Sequence, residues 1–311
     1  MRVTRTLAWG FVCGAVVVVH RADGGQGAAG ASQLFVPAYV HQGEHGLILT
    51  LFPRDGPELA TPLPKESGGF RVLAFSPDGR AFYGQKGNST NPSALIKIEF
   101  NPPRQTEVPG SSGLGTIRSL TPSKRGGHLR ALVLRTNSGQ EAKYEALDID
   151  PSTGIVRELG AAPWRGAGPI SPVSDQMLRK VDGRLELFDL ETNAVRVLLK
   201  GVATQSPYLS ATWSPDGRWI SINQSGSISL IDANDPSRRR KVGGSGGDAG
   251  VWSPDSKFLL FVKSQLSCLP TLYFESLEVM DVETGKKTPI KSAHCNVSGG
   301  FFGWLDEAAV R

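Results

Sequence analysis

The sequence is poor in the residues that most often build reactive or metal-binding sites. Only 3 of its 311 residues are cysteine and 5 are histidine, so the chain is not a disulfide-dense miniprotein. It contains no phosphate-binding glycine loop ahead of a helix and no grouping of residues that predicts a catalytic triad. We therefore assign no catalytic residue, no metal site and no cofactor from the sequence.

Helical periodicity and long apolar runs are also missing. Beyond residue 31 no stretch repeats apolar side chains at helical spacing, and no run reaches the roughly 20 apolar residues of a membrane-spanning helix. Glycine and proline are abundant instead, at 37 and 21 residues, which is typical of a chain with many tight turns. The mature chain is therefore expected to be all-β and to have no transmembrane helix.

Charge is plentiful but nearly balanced. The 34 basic and 29 acidic residues leave a net charge of +5, and they are spread along the chain without a basic stripe interleaved with aromatics. Nucleic acid is therefore not an expected partner. The one dense basic run, RRRK at 238–241, is expected to lie in a solvated turn.

The N-terminus has the pattern of a secretory signal. Arg2 and Arg5 precede an apolar run at 7–19, and an A-x-A-like site follows at 29–31. We expect residues 1–31 to be removed on export to the periplasm or the extracellular space, which leaves a single domain at 32–311. Removal takes away three arginines and one aspartate, and so lowers the net charge from +5 to +3.

Two cysteines, Cys268 and Cys295, remain after processing. An oxidising compartment permits a disulfide between them. Two separate buried thiols are the alternative, and the sequence leaves both open.

A short motif recurs along the chain. FSPDGR at 75–80 returns as WSPDGR at 213–218 and as WSPDSK at 252–257. Proline fixes one backbone dihedral, aspartate binds nearby backbone N–H groups, and glycine adopts conformations closed to other residues, so each copy predicts a turn between two strands. Because they recur, Asp78, Asp216 and Asp255 are interpreted as turn-stabilising rather than catalytic. Two other units have TPSK at 121–124 and SPVSD at 171–175 in place of the motif.

An alternating strand, mostly ending in aspartate, follows each turn. Its copies are LILTL at 47–51, IKIEF at 96–100, YEALD at 144–148, LELFD at 185–189, ISLID at 228–232 and LEVMD at 277–281. Their last residues are 41 to 49 residues apart, which is the size of a four-stranded propeller blade. Residues 299–306 resemble the start of another unit. We expect this C-terminal strand to complete the first blade beside residues 33–64 and to close the ring.

The repeated turn, with the strand and aspartate that follow it, resembles the WD-like propeller repeats of the TolB periplasmic protein and of the non-catalytic propeller of prolyl oligopeptidase relatives. The resemblance covers nearly the whole mature chain. It implies a six-bladed β-propeller of four-stranded antiparallel blades around a central channel. We expect a stand-alone, monomeric propeller, without the N-terminal domain of TolB and without a hydrolase domain.

One segment, HQGEH at 41–45, has the H-x-x-E-H spelling of a class of zinc peptidases. That chemistry needs a helix that places both histidines on one face. Gly43 and the strand-like residues on both sides favour a hairpin turn instead.

Candidate binding residues come from the connections between strands. The connections between blades and those between second and third strands, at 85–93 and 264–276, belong to one predicted face. Aromatic and charged residues there suit a protein or peptide partner, and we select five of them: Trp164, Arg165, Tyr208, Asp248 and His294. A packing role is the alternative for Trp164 and Tyr208.

The leading hypothesis is therefore an exported, non-enzymatic protein-interaction propeller. A propeller hydrolase or lyase with a metal site at the channel mouth is the first alternative, and a small-ligand or glycan-binding propeller is the second. An enzyme should place an irregular cluster of acids, histidines or asparagines at one channel mouth, whereas a scaffold should show only the repeat acids there.

Overall fold

The structure is a computed structural model. It describes residues 35–43, 46–51, 59–63, 70–87, 92–123, 126–135, 143–162, 166–202, 210–243, 249–269, 272–290 and 301–307. The expected signal segment, 1–31, lies outside the described residues.

Among the described residues, 24 strands form six four-stranded antiparallel sheets. In chain order the strands are β1 (Phe35–Gly43), β2 (Gly46–Leu51), β3 (Leu59–Pro62), β4 (Phe70–Phe75), β5 (Ala81–Gly87), β6 (Pro92–Phe100), β7 (Pro103–Glu107), β8 (Thr116–Pro122), β9 (Leu129–Arg135), β10 (Lys143–Ile149), β11 (Val156–Ala162), β12 (Ala167–Ile170), β13 (Gln176–Val181), β14 (Arg184–Asp189), β15 (Val195–Lys200), β16 (Ala211–Trp213), β17 (Trp219–Gln224), β18 (Ser227–Asp232), β19 (Arg239–Gly243), β20 (Val251–Trp252), β21 (Phe258–Leu269), β22 (Leu272–Asp281), β23 (Lys287–Ile290) and β24 (Phe301–Asp306).

Each sheet is one blade of a six-bladed β-propeller. Blade 1 has the strand order β24-β1-β2-β3, and blades 2 to 6 are built from consecutive groups of four strands, from β4–β7 to β20–β23. The innermost strand of each blade, β24 in blade 1 and β4, β8, β12, β16 and β20 in blades 2 to 6, faces the central channel. The expected fold class, an all-β six-bladed propeller, is confirmed.

The ring closes through the two ends of the propeller. The C-terminal strand β24 pairs antiparallel with β1, in a register that runs from Phe35 opposite Asp306 to Val40 opposite Phe301. The backbone N–H of Asp306 also donates to the carbonyl of Gly79 in blade 2, at 2.9 Å. The predicted closure of the first blade by the C-terminal strand is confirmed.

The alternating strands found in the sequence are the third strands of the six blades. Five of them end at the expected residue, and β10 ends one residue later, at Ile149. The H-x-x-E-H segment spans the β1–β2 hairpin, in which Gly43 pairs with Gly46. Its strand pairing agrees with the hairpin interpretation.

Hydrophobic clusters bind each blade to the next. One joins Val36 and Leu305 of blade 1 to Phe82 of blade 2, and another joins Leu260 of blade 6 to Trp304 of blade 1. The other four clusters span blades 2 and 3, 3 and 4, 4 and 5, and 5 and 6. The apolar core is therefore a ring of inter-blade contacts, and it is complete only when blade 1 contains its C-terminal strand.

Two local expectations were wrong. Residues 264–276, expected as a connection, extend β21 and β22 into a longer ribbon in which Ser264 pairs with Ser276 and Leu269 with Leu272. The basic run at 238–241, expected in a solvated turn, enters the outer strand β19. Its long side chains reach carbonyls of adjacent blades: Arg239 donates to Leu198 at 3.4 Å, and Arg240 donates to Val282.

No helix within the described part of the chain is long and apolar enough to cross a membrane.

Candidate functional site: the central channel

The innermost strands of the blades enclose a channel of about 750 Å³. Side chains from all six blades line it, and most are aliphatic, aromatic or small. Among the described lining residues, Arg71 and Arg118 are the only charged side chains. Each innermost strand of blades 2 to 6 begins after an inter-blade connection and ends at the turn that precedes its second strand. The channel therefore has one mouth beside the inter-blade connections and another beside the turns.

The two arginines occupy the end near the inter-blade connections. Arg71 is the second residue of β4, and Arg118 is the third residue of β8 in the neighbouring blade. Desolvation by the channel wall lowers the pKa of Arg71 from its usual value, and the nearby positive charge of Arg118 lowers it further. Both side chains are exposed to the channel interior, where they create a positive potential.

Large apolar side chains occupy the other end. Phe75, Trp213 and Trp252 each precede a turn serine and line the channel. The indole N–H of Trp213 donates to the carbonyl of Pro169 in the preceding blade at 3.1 Å, and that of Trp304 donates to Val251 at 3.0 Å. The channel is thus cationic near one mouth and aromatic near the other.

The repeat aspartates lie in the turns between first and second strands. In each copy the serine hydroxyl donates to the aspartate at 2.5 to 2.6 Å. Each aspartate, Asp78, Asp216 or Asp255, also accepts a backbone N–H from the residue two positions later at 3.0 to 3.1 Å. These contacts occupy the carboxylates within their own turns.

The two units that had lost the motif keep its serine. Ser123 and Ser171 are buried, and their backbone N–H groups donate to the carbonyls five residues later at 2.8 and 2.7 Å. Ser76, Ser214 and Ser253 make the same bond in the complete copies. The sequence does not predict this recurrence when the motif is defined by its serine and aspartate together. The feature that blades 2 to 6 share is a serine directly after the first strand.

Other acids of the repeats are buried within the blades and paired with basic side chains. Asp148 contacts His128 at 3.1 Å, and Asp232 contacts Arg218 at 3.5 Å. In blade 4 the carboxylate of Glu186, buried at 2% exposure, is held by Arg179 at 2.8 Å and Arg184 at 3.3 Å. These pairs stabilise the scaffold and none of these residues lines the channel.

Turns between third and fourth strands hold a further set of acids with lowered pKa values. The backbone N–H and hydroxyl of Thr192 lower the pKa of Asp189, and the hydroxyl and backbone N–H of Ser237 lower that of Asp235. For Asp281 the lowering comes first from the backbone N–H of Thr284. These turns are therefore stabilised by carboxylates in their charged form.

A pH titration tests these turn acids. Because their folded pKa values are lower than the unfolded value of about 3.9, the stabilisation is complete above that value and is lost as the pH falls through the folded values. We expect the thermal midpoint to fall as the pH is lowered from about 5 to about 2, and to fall less when Asp189, Asp235 and Asp281 are all replaced by Asn. An equal fall in the triple variant, measured by circular dichroism, would show that these carboxylates do not contribute.

The five binding residues selected from the sequence lie outside the described residues. Trp164 and Arg165 fall between β11 and β12 in the chain, Tyr208 between β15 and β16, Asp248 between β19 and β20, and His294 between β23 and β24. All five thus belong to segments that link one blade to the next. Their role in binding stays a prediction.

The cysteine pair is also untested. Cys268 lies in β21, with its side chain outside the described set, and Cys295 lies in an undescribed segment. Within the described part of the chain, no group of three or more histidines, cysteines and acids is arranged to hold a metal ion.

No protein-family model and no curated protein matches this sequence. Among solved structures, the chain is similar to TolB from Acinetobacter baumannii, with a TM-score of 0.59 and 16% identity over 87% of this chain and 66% of that one, so it spans less than two thirds of that protein. It is similar to a chain of the nidogen/laminin complex, with a TM-score of 0.55 and 11% identity over 87% of this chain and 98% of that one. An oligogalacturonate lyase in complex with manganese gives a TM-score of 0.51 and 15% identity, over 83% of this chain and 79% of that one. Identities this low show the fold alone, and that fold is the TolB-like six-bladed β-propeller.

Proposed function

We propose that this chain is an exported TolB-like propeller that binds a protein or peptide partner and catalyses no reaction. The partner contacts the face formed by the inter-blade connections and the connections between second and third strands. Trp164, Arg165, Tyr208, Asp248 and His294 fall in the inter-blade connections, and aromatic and arginine side chains are the usual anchors of protein interfaces.

The proposal rests on the contacts that acidic side chains make in the described blades. The repeat aspartates are hydrogen-bonded inside turns, and the buried Glu186 is paired with two arginines. A hydrolase or lyase needs acids or bases that converge on a substrate. The described channel wall instead presents apolar and aromatic side chains with two arginines, which suits binding.

Two further observations support the proposal. Residues 1–31 have the charge and apolar pattern of a secretory signal. One solved structure of similar fold is that of a nidogen/laminin complex, which is an assembly of two proteins.

Variants of the inter-blade connections test the proposal. The wild-type chain is used to capture partners from the exported fraction of its own source cells, and the captured protein is then purified and titrated calorimetrically. We expect the Trp164→Ala/Tyr208→Ala double variant to bind about 10-fold more weakly or worse, because each substitution removes an aromatic anchor.

The matched control lies on the opposite face. Ile155, in the connection between β10 and β11, is 67% exposed, and Ile155→Ala should change the affinity by no more than about twofold. Equal binding by wild type and double variant contradicts the proposed face. Turnover of oligogalacturonate by the purified chain with manganese, seen as an unsaturated product, contradicts the non-enzymatic role.

A further inference from the structure

Two arginines that have no acidic partner among the described residues lie together on the channel wall. Arg71 and Arg118 come from neighbouring blades, and Arg71 donates to the carbonyl of Ile117, the residue before Arg118. Neither guanidinium is among the ion pairs of the described part of the chain, whereas most other described arginines contact an acid. Two like charges held in a partly desolvated channel favour an anion between them.

The backbone that carries Arg118 is fixed in place. The side-chain amide of Gln85, a buried residue of blade 2, donates to the carbonyl of Gly115 at 2.6 Å and accepts the N–H of Ile117 at 3.1 Å. With the bond from Arg71, both backbone groups of Ile117 are bound by blade 2. Arg118 is therefore presented from a rigid segment, and little order has to be created when a ligand binds.

A β-bulge directs Arg118. The pairing of β8 with β9 skips this residue: Ile117 lies opposite Val133, and Ser119 lies opposite Leu132. Bulges bend a strand and redirect the side chain of the extra residue. The inner strand of blade 2 also has a bulge, between Val72 and Ala74, which lies two residues nearer its turn serine. Both arginines also lie five residues before a turn serine.

A third polar group lies beside the arginines. The hydroxyl of Ser119 is buried and has no hydrogen-bond partner in the part of the chain that the structure describes, and its residue lines the channel. An unbonded buried hydroxyl costs free energy unless a ligand satisfies it. Together with the guanidinium groups it forms a set of donors suited to an acceptor with several oxygen atoms.

The rest of the channel is suited to an apolar body. Phe75 lies four residues beyond Arg71 on the same strand, or about 13 Å away at the usual rise per residue. Trp213 and Trp252 line the same end, and the buried indole N–H of Trp252 has no partner within the described residues. A ligand that bridges the two ends carries an anionic head and an aromatic or aliphatic tail.

We propose that the channel binds a small organic carboxylate, whose oxygens accept hydrogen bonds from Arg71, Arg118 and Ser119 and whose apolar tail packs toward Phe75, Trp213 and Trp252. A carboxylate matches the planar donor geometry of guanidinium groups. This site lies inside the ring, and its arginines are at the channel end beside the face proposed for a protein partner.

Calorimetric titration of the purified chain with 4-phenylbutyrate tests the proposal. We expect 4-phenylbutyrate to bind and its neutral amide to bind about 10- to 100-fold more weakly, because the amide lacks the charge that the arginines select. Arg118→Gln should weaken binding of the acid by a similar factor. Arg118 makes no contact that the fold depends on among the described residues, so this variant should fold normally. Ser119→Ala should weaken binding of the acid and leave that of the amide unchanged.

The control variant has the same net charge as Arg118→Gln but leaves the channel unchanged. Arg104→Gln, in the exposed part of the outer strand β7, should bind the acid as wild type does. Equal affinity for acid and amide, equal weakening by Arg104→Gln, or no binding of the acid overturns the proposal. Tighter binding of inorganic phosphate than of the acid overturns the assignment to a carboxylate. Because no partner protein is used, these outcomes leave the proposed interaction face to its own test.

Discussion

Removing residues 299–311 is expected to unfold the propeller or make it aggregate. The truncation deletes β24, and with it Trp304 and Leu305, which are 3% and 0% exposed. Loss of one buried residue of this size costs about 3–5 kcal/mol for tryptophan and about 2–5 kcal/mol for leucine, and a typical domain has only about 5–15 kcal/mol in total. The deletion also exposes the edge of β1, which then becomes available for intermolecular pairing.

Circular dichroism and size-exclusion chromatography measure the outcome. A shorter truncation that removes only 308–311 serves as the control, because it leaves β24 intact, and it should retain the wild-type melting temperature. Trp304→Ala should lie between the two, with a loss of about 3–5 kcal/mol in the free energy of unfolding. A truncated chain with an unchanged melting temperature would contradict closure of the ring by this strand.

Replacing Glu186 by alanine is expected to be the most damaging single charge removal in the described blades. Its carboxylate is 2% exposed and paired with Arg179, whose side chain is 17% exposed and lies 4.7 Å from the ring of Phe188. Removing one member of a buried pair leaves the other charge desolvated and unpaired, which costs about 3–5 kcal/mol. Urea denaturation gives the change in the free energy of unfolding directly.

A double variant separates the loss of the ion pair from the cost of leaving Arg179 buried without a partner. Arg179→Leu/Glu186→Leu removes both charges and keeps apolar volume, so we expect it to recover most of the stability lost in Glu186→Ala. Glu283→Ala, at the exposed β22–β23 turn, should change stability by less than about 0.5 kcal/mol. If the double variant is as unstable as Glu186→Ala, the ion pair itself stabilises the fold, and the loss does not come from an unpaired buried charge.

Much of the fold could be predicted because it is repeated. Each copy of the turn motif and each third strand is a weak local signal, but six units of similar length identify the number of blades and the position of the closing strand. The turns at Ser123 and Ser171 keep the backbone hydrogen bond of the motif without its aspartate. A repeat can therefore preserve its geometry after losing the residue by which it is recognised.

The candidate site could not be predicted in the same way. The net charge describes the whole chain and does not show where a charge lies. Arg71 and Arg118 are 47 residues apart in sequence. Their proposed role depends on their position inside the ring. Only the pairing of two blades through Gln85 and Ile117 brings them together. Their common position five residues before a turn serine was present in the sequence, but that signal had no meaning until the inner strands were known to line a channel.

The basic run at 238–241 shows a second limit of prediction from the sequence. Its charge density predicts a solvated turn, but Arg240 binds carbonyls of blade 6, because the aliphatic part of arginine can cover a blade edge while its donors reach the neighbour. Local composition does not reveal which neighbour an outer strand has.

Site-specific photo-cross-linking tests the proposed function most directly. A benzophenone side chain is introduced at Tyr208, in an inter-blade connection, or at Ile155, on the opposite face, and the chain is irradiated in its own exported fraction. We expect a discrete adduct with one partner from position 208 and none from position 155, and loss of that adduct when Trp164 is also replaced by alanine. An adduct from position 155 alone, or no adduct from either position together with substrate turnover, would contradict it.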